Sequence, residues 1–304
     1  MNTFTRRHFL KAAGAAAVLT CCPLIASTAM PLMRRIPASG ALIPALGMGT
    51  WITFNVGNHS GFRAIRAGIL ETFLSMGGRL VDSSPMYGSS EEVVGWAWQK
   101  LGKPDALMAA TKTWTHSINE GKAQFQDSQR LWQRQQIELL QVHNLLNWQG
   151  HLPILRELKE QGLIRYLGVT TSHGRRHQEL EHIINTQPLD FIQLTYNVLD
   201  REAEARLLPL VMDRGVAVIA NRPLQGGRLF DRVTHTAIPP WAKELGINYW
   251  AQFFLKFILS HSAVTCAIPA TSQVAHMREN MGALSGPFPD NTIRQKMVAF
   301  MEGL

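Results

Sequence analysis

The 304-residue sequence has few cysteines, with only three, at positions 21, 22 and 266. Two of them lie in the first thirty residues, so the remainder holds a single thiol and cannot form an internal disulfide. Cys266 lies in the apolar run 264–268, and we expect it to be packed and inert. No low-complexity linker interrupts residues 35–304, which argues against separate domains joined by flexible segments.

Acidic residues are absent from the first 70 positions, where seven lysines and arginines occur. From Glu71 onward, 23 basic residues nearly balance 22 acidic ones, so the formal net charge of +8 is an N-terminal feature. The body of the chain has no basic stripe interleaved with aromatic residues. We therefore expect no nucleic-acid partner.

Residues 1–29 are predicted to be an export signal. Residues 5–11 (TRRHFLK) resemble the twin-arginine signal S/T-R-R-x-F-L-K, and residues 27–29 (STA) form a small-x-small cleavage site. The Ala-rich apolar run between them is near the lower limit of about 18 residues for a membrane span, which favours cleavage without stable membrane insertion over an uncleaved anchor. The resemblance implies the twin-arginine export machinery as a partner and a periplasmic location.

Residues 35–304 are predicted to form one (β/α)8 TIM barrel, because short apolar runs alternate with longer amphipathic stretches. The predicted strands are residues 46–51, 79–82, 107–112, 138–142, 166–169, 191–194, 216–220 and 264–268. The predicted helices are residues 63–76, 91–101, 121–135, 153–161, 178–185, 202–214, 241–259 and 273–283. We also expect a short N-terminal hairpin over 35–43 and an extra C-terminal helix over 291–302. A doubly wound sheet is disfavoured, since no G-x-G-x-x-G follows the first strand.

Four residues with acid–base chemistry lie at or just past the ends of three consecutive predicted strands: Asp82 and Tyr87 after one, Lys112 after the next and His143 after the third. A barrel brings its strand ends together at one rim, so we expect these side chains to meet there. Reduction of a carbonyl needs a proton for its oxygen, and a phenol with a pKa of about 10 is a slow acid. A neighbouring ammonium lowers that pKa, a carboxylate keeps the ammonium charged, and an imidazole orients the carbonyl. The set predicts carbonyl reduction with Tyr87 as general acid.

Five segments resemble motifs of the aldo-keto reductase family, in the family's order. They are residues 47–51 (GMGTW), 81–88 (VDSSPMYG), 110–112 (ATK), 141–144 (QVHN) and 268–272 (IPATS). The second contains the D-x-x-x-x-Y-G signature, the third and fourth the strand lysine and histidine, and the last the cofactor-phosphate segment. The resemblance covers almost all of residues 36–285. It implies an oxidoreductase that reduces an aldehyde or ketone with NADP(H) or NAD(H). The alternative is a nucleotide-binding sensor subunit with little turnover, which the complete set of four rim residues disfavours.

The resemblance also implies which residues bind the cofactor. They are Thr170, Thr171, Gln193, Asn221, Arg222, Leu224, Gly226, Thr271, Ser272, His276, Glu279 and Asn280. The chain departs from the family pattern at residues 170–171, where many members have Ser-Asn, and at Asn221, where a tyrosine usually stacks on the nicotinamide. Stacking is then lost or supplied by Arg222. Ala270 and His276 stand where a lysine and an arginine often hold the 2′-phosphate, which leaves the choice between NADPH and NADH open.

Three tryptophans, Trp51, Trp114 and Trp148, each follow a predicted strand. We expect them to form walls of an apolar substrate pocket, with packing under the loops as the alternative. Three histidines between residues 173 and 182 have near-helical spacing but lie among charged residues. A solvent-facing helix accounts for that pattern, so no metal site is predicted.

Overall fold

In the computed structural model, which describes residues 31–304, eight parallel strands are arranged in a ring. They are β3 (Met48–Gly49), β4 (Leu80–Asp82), β5 (Met108–Thr113), β6 (Ile137–Val142), β7 (Ile164–Thr170), β8 (Phe191–Thr195), β9 (Ala217–Asn221) and β10 (Cys266–Ala267). Each strand pairs with the next along the chain, and bridges from Leu46 to Ala267 and from Gly49 to Ala270 connect the last strand to the first. The predicted (β/α)8 architecture is confirmed.

Helices surround the ring and provide the crossovers that parallel strands require. They are α1 (Ser60–Ser75), α2 (Ser90–Lys100), α3 (Ile118–Trp132), α4 (Trp148–Glu160), α5 (His177–Thr186), α6 (Leu207–Arg214), α7 (Arg228–Val233), α8 (Pro240–Lys243), α9 (Trp250–Leu259), α10 (Val274–Met281) and α11 (Asn291–Glu302). The extra C-terminal helix is present as α11. None of the helices within residues 31–304 is long and apolar enough to cross a membrane.

The N-terminal hairpin closes the floor of the barrel. Its strands, β1 (Met33–Arg35) and β2 (Leu42–Pro44), pair antiparallel. Ile36 and Ile43 are buried in a cluster with residues at the amino-terminal ends of the barrel strands, such as Leu80 and Phe191. The Ser39 hydroxyl also forms a 2.7 Å hydrogen bond with the hydroxyl of Tyr166. The amino-terminal end of the ring is therefore filled, and the carboxyl-terminal end remains for a binding site.

Two predicted helices are interrupted. The stretch 241–259 forms α8 and α9, because Gly246 adopts a φ of +70° between them. The stretch 202–214 forms a short 3₁₀ turn and then α6, because Pro209 in the first turn of α6 has no N–H to continue a helix from upstream. In addition, α7 lies in the loop after β9, where no helix was predicted.

The close packing of α2 against α3 depends on Gly95. A Cβ atom at this position would lie 1.9 Å from the carbonyl oxygen of Leu131. Gly95→Ala is therefore expected to push the two helices apart and to lower the free energy of unfolding by about 2 kcal/mol or more. Chemical denaturation measures this change.

Gly68 provides the matched control for that substitution. It lies inside α1, and a Cβ there would meet only the Val274 side chain at 3.4 Å. Gly68→Ala is expected to be neutral or to stabilise the protein by up to about 1 kcal/mol, through helix propensity. Equal destabilisation by the two substitutions would contradict the close-approach explanation for Gly95.

Candidate active site

The strand ends bring the four predicted acid–base residues to one place. Asp82 is the last residue of β4, and Tyr87 ends the 3₁₀ turn Pro85–Tyr87 that follows it. Lys112 lies near the end of β5, and His143 comes directly after β6. The Lys112 ammonium lies 5.1 Å from the centroid of the Tyr87 ring, and that ring meets the His143 imidazole edge to face at 5.8 Å.

Lys112 and Asp82 form a buried ion pair beneath the phenol. The Nζ atom lies 2.7 Å from Asp82 Oδ2 and also donates to the Ser83 carbonyl at 2.7 Å. Lys112 is 1% exposed and Asp82 2% exposed. Gln193 donates to the other carboxylate oxygen at 3.0 Å. Burial alone would lower the pKa of Lys112, but the charges of Asp82 and Tyr87 outweigh it and raise the pKa, so the amine stays charged.

His143 is a neutral imidazole in this site. Burial, reinforced by the positive charge of Lys112, lowers the pKa of His143 to about 2. Its Nδ1 atom shares a 3.0 Å hydrogen bond with the Ser84 hydroxyl, which itself accepts from the Met86 N–H. We assign the hydroxyl as the donor to Nδ1, because the tautomer with its proton on Nε2 is the one that is able to donate to a carbonyl oxygen in the cavity.

The pKa of Tyr87 differs from the expectation drawn from the sequence. Burial raises the pKa of the phenol, and the charge of Asp82 adds to that effect. Lys112 lowers the pKa, as predicted, but offsets only part of the rise, so the net direction is upward. The phenol is consequently held in its protonated form at neutral pH, which is the form that a proton donor requires.

A cavity of about 720 Å³ opens above these residues at the carboxyl-terminal end of the barrel. Asp82, Tyr87 and His143 line it, whereas Lys112 lies behind them. The predicted site residues that also line it are Trp51, Thr170, Thr171, Gln193, Asn221, Arg222, Leu224, Gly226, Thr271, Ser272 and His276. One continuous cavity therefore joins the acid–base residues to most of the residues predicted to bind a cofactor.

The residues around Thr170 and Thr171 fit an amide ligand. Within residues 31–304, the Thr171 hydroxyl is buried without a hydrogen-bond partner. The Thr170 hydroxyl accepts from the Asn144 N–H at 2.9 Å and keeps its own proton available for donation. Asn221 donates to the Thr171 carbonyl at 2.8 Å, which fixes the loop after β7 against the end of β9. Hydroxyl groups that still have hydrogen-bonding capacity at the base of a large cavity suit a bound carboxamide.

Besides Lys112, four of the predicted site residues lie outside the cavity lining. Trp148 is the first residue of α4 and is buried, and its indole donates to Glu179 at 2.9 Å, so it packs between α4 and α5. Trp114 is exposed beyond the end of β5. Glu279 and Asn280 lie in the second half of α10 and do not line the cavity, whereas Thr271 and Ser272 do.

Sequence reasoning missed several residues of the site. Ser84 contacts His143, and its place inside the residue 81–88 motif was the signal that pointed to it. Ile52 and Met86 add apolar surface to the cavity, and Ile52 does so with a φ of +63°, an unfavourable value for a β-branched residue. No sequence pattern marks such a loop conformation. In the described part of the chain, no three His, Cys, Asp or Glu side chains are close enough to hold a metal ion.

Comparisons with known proteins agree with the fold. The model of the Aldo/keto reductase family matches residues 45–296. Methylglyoxal reductase YeaE of Escherichia coli (strain K12) is 28% identical, over 83% of this chain and 89% of that protein. The NADH-specific methylglyoxal reductase of the same strain is 26% identical, over 88% and 93%. The crystal structure of an aldo/keto reductase from Klebsiella pneumoniae, in complex with NADP and acetate, has a TM-score of 0.75 at 25% identity, over 88% and 95%.

Proposed function

The chain belongs to the aldo/keto reductase family, and on that basis we propose that it reduces an aldehyde or ketone to an alcohol with NAD(P)H, using Tyr87 as general acid. The observation that carries this proposal is the buried Lys112–Asp82 pair at 2.7 Å beneath a cavity-lining tyrosine. Because Lys112 is buried, its charge does not serve to keep the protein surface hydrated. Its charge acts on the groups beside it, and the phenol is one of them.

The nicotinamide cofactor supplies the hydride in this reaction. Thr170, Thr171 and Gln193 are the residues that would hold its carboxamide, since their polar groups lie together at the base of the cavity. The relatives include an enzyme named as NADH-specific and a structure named as a complex with NADP. Ala270 and His276 line the cavity at the two positions where a lysine and an arginine often hold the 2′-phosphate of NADPH. We therefore propose that this chain accepts both NADPH and NADH.

The protein's own residues position the carbonyl oxygen and transfer a proton to it. The Nε2–H of neutral His143 donates to the carbonyl oxygen and holds it towards the phenol. Tyr87 then transfers its hydroxyl proton to that oxygen as negative charge develops there. Lys112 stabilises the phenolate that remains, and Asp82 keeps Lys112 charged and in place.

Following absorbance of the reduced nicotinamide with a panel of aldehydes and ketones tests the proposed function. Decay that depends on the carbonyl compound is expected. If NADPH binds tightly but no carbonyl compound in a broad panel is reduced, the nucleotide-sensor alternative replaces the enzyme. The structure favours turnover, because the proton donor and the group that orients the carbonyl both face the same cavity.

We further propose that the protein is exported by the twin-arginine machinery and acts in the periplasm. Residues 1–29, predicted to be the signal, lie outside the described residues, so the support comes from the sequence of residues 5–11. This route carries folded proteins, which suits a barrel that acquires its cofactor before export.

Replacing Arg6 and Arg7 together by lysine is expected to keep the protein in the cytoplasm, because the arginine pair is what the export machinery reads. Cell fractionation with an antibody to the protein measures the result. The matched control replaces the second arginine pair, Arg34 and Arg35, by lysine, and this variant should be exported normally. Export of the Arg6/Arg7 variant at the native level would rule the route out.

A further inference from the structure

One side of the cavity mouth carries unneutralised positive charge. Arg175, Arg222 and Arg228, which we call the basic rim, lie on the loops after β7 and β9, and the first two line the cavity. Within residues 31–304, none of these three guanidinium groups forms an ion pair. Three arginines held near one another without carboxylate partners indicate a binding site for an anion.

Asp200, whose charge acts on Arg222, is already engaged by two amide side chains. Asp200 accepts hydrogen bonds from Asn197 at 2.8 Å and from Gln225 at 2.8 Å. The effect of the basic rim is seen at His173, whose pKa is lowered by partial burial and by the charges of the three arginines, with Asp200 opposing them weakly. The rim therefore keeps a positive potential towards the cavity.

The loop that carries Arg175 is tied to the catalytic residues. Arg176, its neighbour, donates to the Asn144 carbonyl at 2.6 Å, and Asn144 directly follows His143. Arg176 also bonds Glu179 at 2.6 Å, so its guanidinium is occupied. Both arginines are exposed, but within residues 31–304 Arg175 forms no ion pair, so its guanidinium remains available to a ligand at the cavity mouth.

Backbone conformation in these loops is strained. His173, Arg176 and Arg222 have φ values of +62°, +57° and +49°, in the left-handed region that such residues rarely adopt. Residues in such sparsely populated conformations cluster at active sites and at ligand-binding loops. Here they occur in the loop after β7 and in the loop after β9, which carry the basic rim.

The opposite wall of the mouth is apolar. β3 and β7 are four strands apart in the ring of eight, so the loops that follow them face each other across the cavity. The loop after β3 presents Trp51 and Ile52, which are 44% and 64% exposed, and Met86 extends this surface beside Tyr87. A molecule between the two walls meets carbon surface on one side and arginine on the other.

We propose that Arg175 binds the carboxylate or phosphate group of an anionic carbonyl substrate, whose apolar part packs against Trp51 and Ile52 while its carbonyl group lies at Tyr87. This inference rests on the proposed function and narrows its substrate class. A cofactor pyrophosphate is the other source of the same chemistry. Arg222 and Arg228 follow β9, where the pyrophosphate is the competing ligand, whereas the loop that carries Arg175 is hydrogen-bonded through Arg176 to Asn144, the residue after His143.

The test compares aldehydes that differ by one carboxylate: benzaldehyde with 4-carboxybenzaldehyde, and butanal with succinic semialdehyde. In the native enzyme, kcat/KM is expected to be at least tenfold higher for the charged member of at least one pair. In Arg175→Gln this ratio should fall by about 10- to 100-fold, the contribution of a hydrogen bond between charged groups. The Kd for NADPH, measured by fluorescence, should change by less than about twofold.

Arg165→Gln is the matched control. Arg165 is an exposed residue at the beginning of β7, so the variant removes the same charge from the other end of the same strand. Its substrate ratio should equal that of the native enzyme. An unchanged substrate ratio in Arg175→Gln overturns the proposal. A Kd for NADPH that rises as much as kcat/KM falls also overturns it, because that result assigns Arg175 to the cofactor pyrophosphate.

Direct binding separates failure of this inference from failure of the proposed function. If no member of either pair and no other carbonyl compound in the panel is reduced, the proposed function fails. Calorimetry with 4-(hydroxymethyl)benzoate and benzyl alcohol, in the presence of NADP⁺, then decides the subsite without turnover. Tighter binding of the carboxylate that is lost in Arg175→Gln supports the subsite, and equal binding of the two compounds overturns it.

Discussion

Tyr87→Phe is expected to lower kcat for every carbonyl substrate by about 10⁴-fold, at the upper end of what a single general acid contributes. The substitution removes one oxygen atom and keeps the ring that packs against His143. The Kd for NADPH should therefore change by no more than a few fold. Steady-state kinetics together with nucleotide binding by fluorescence give both quantities.

Tyr166→Phe is the control for loss of a phenolic hydroxyl in the same barrel. That hydroxyl bonds Ser39 at the floor, at the opposite end from the cavity. The control should keep kcat within about twofold, with a loss of stability of about 1 kcal/mol from one hydrogen bond. Carbonyl reduction at a substantial rate by Tyr87→Phe would show that another group supplies the proton.

Lys112→Met has the second largest expected effect, a fall in kcat of about 10³-fold. Lys112 lowers the pKa of Tyr87 and opposes the effect of burial, so its removal raises that pKa further and makes the phenol a poorer acid. Activity requires protonated Tyr87 and is lost as pH rises through its pKa. The alkaline limit of kcat/KM should consequently move to higher pH in the variant, which a pH–rate profile records.

The same substitution leaves the Asp82 carboxylate buried without its partner, and this is expected to cost about 3 kcal/mol or more of stability. The double variant Asp82→Asn/Lys112→Met removes both charges and should recover most of that loss while remaining inactive. Recovery of activity together with stability would mean that Lys112 has only a structural role.

The sequence was most informative where chemistry and topology coincide. The segment from Asp82 to Tyr87, Lys112 and His143 are far apart along the chain, but each lies at or just after a strand end, and a parallel barrel brings strand ends to one rim. The floor hairpin was predictable from its turn at Ser39 and Gly40. Each of these features follows from local pattern and from the regular geometry of the fold.

Features that depend on packing between distant elements could not be predicted from the sequence. Nothing in the local sequence separates Trp51, which lines the cavity, from Trp148, which packs between two helices, because both follow a strand. The net rise in the pKa of Tyr87 reflects how deeply neighbouring loops bury it. The positive φ at Ile52 likewise depends on contacts made only in the folded protein.

The hairpin that fills the floor also determines how the protein meets its surroundings. β1 begins at Met33, and Arg34 in this strand bonds the Leu259 carbonyl near the end of α9. The described chain therefore begins at the base of the barrel, and β1 and the catalytic mouth lie at opposite ends of it. Immobilising the enzyme through its N-terminus, on a resin or an electrode, would leave the mouth facing the bulk solution and open to substrate.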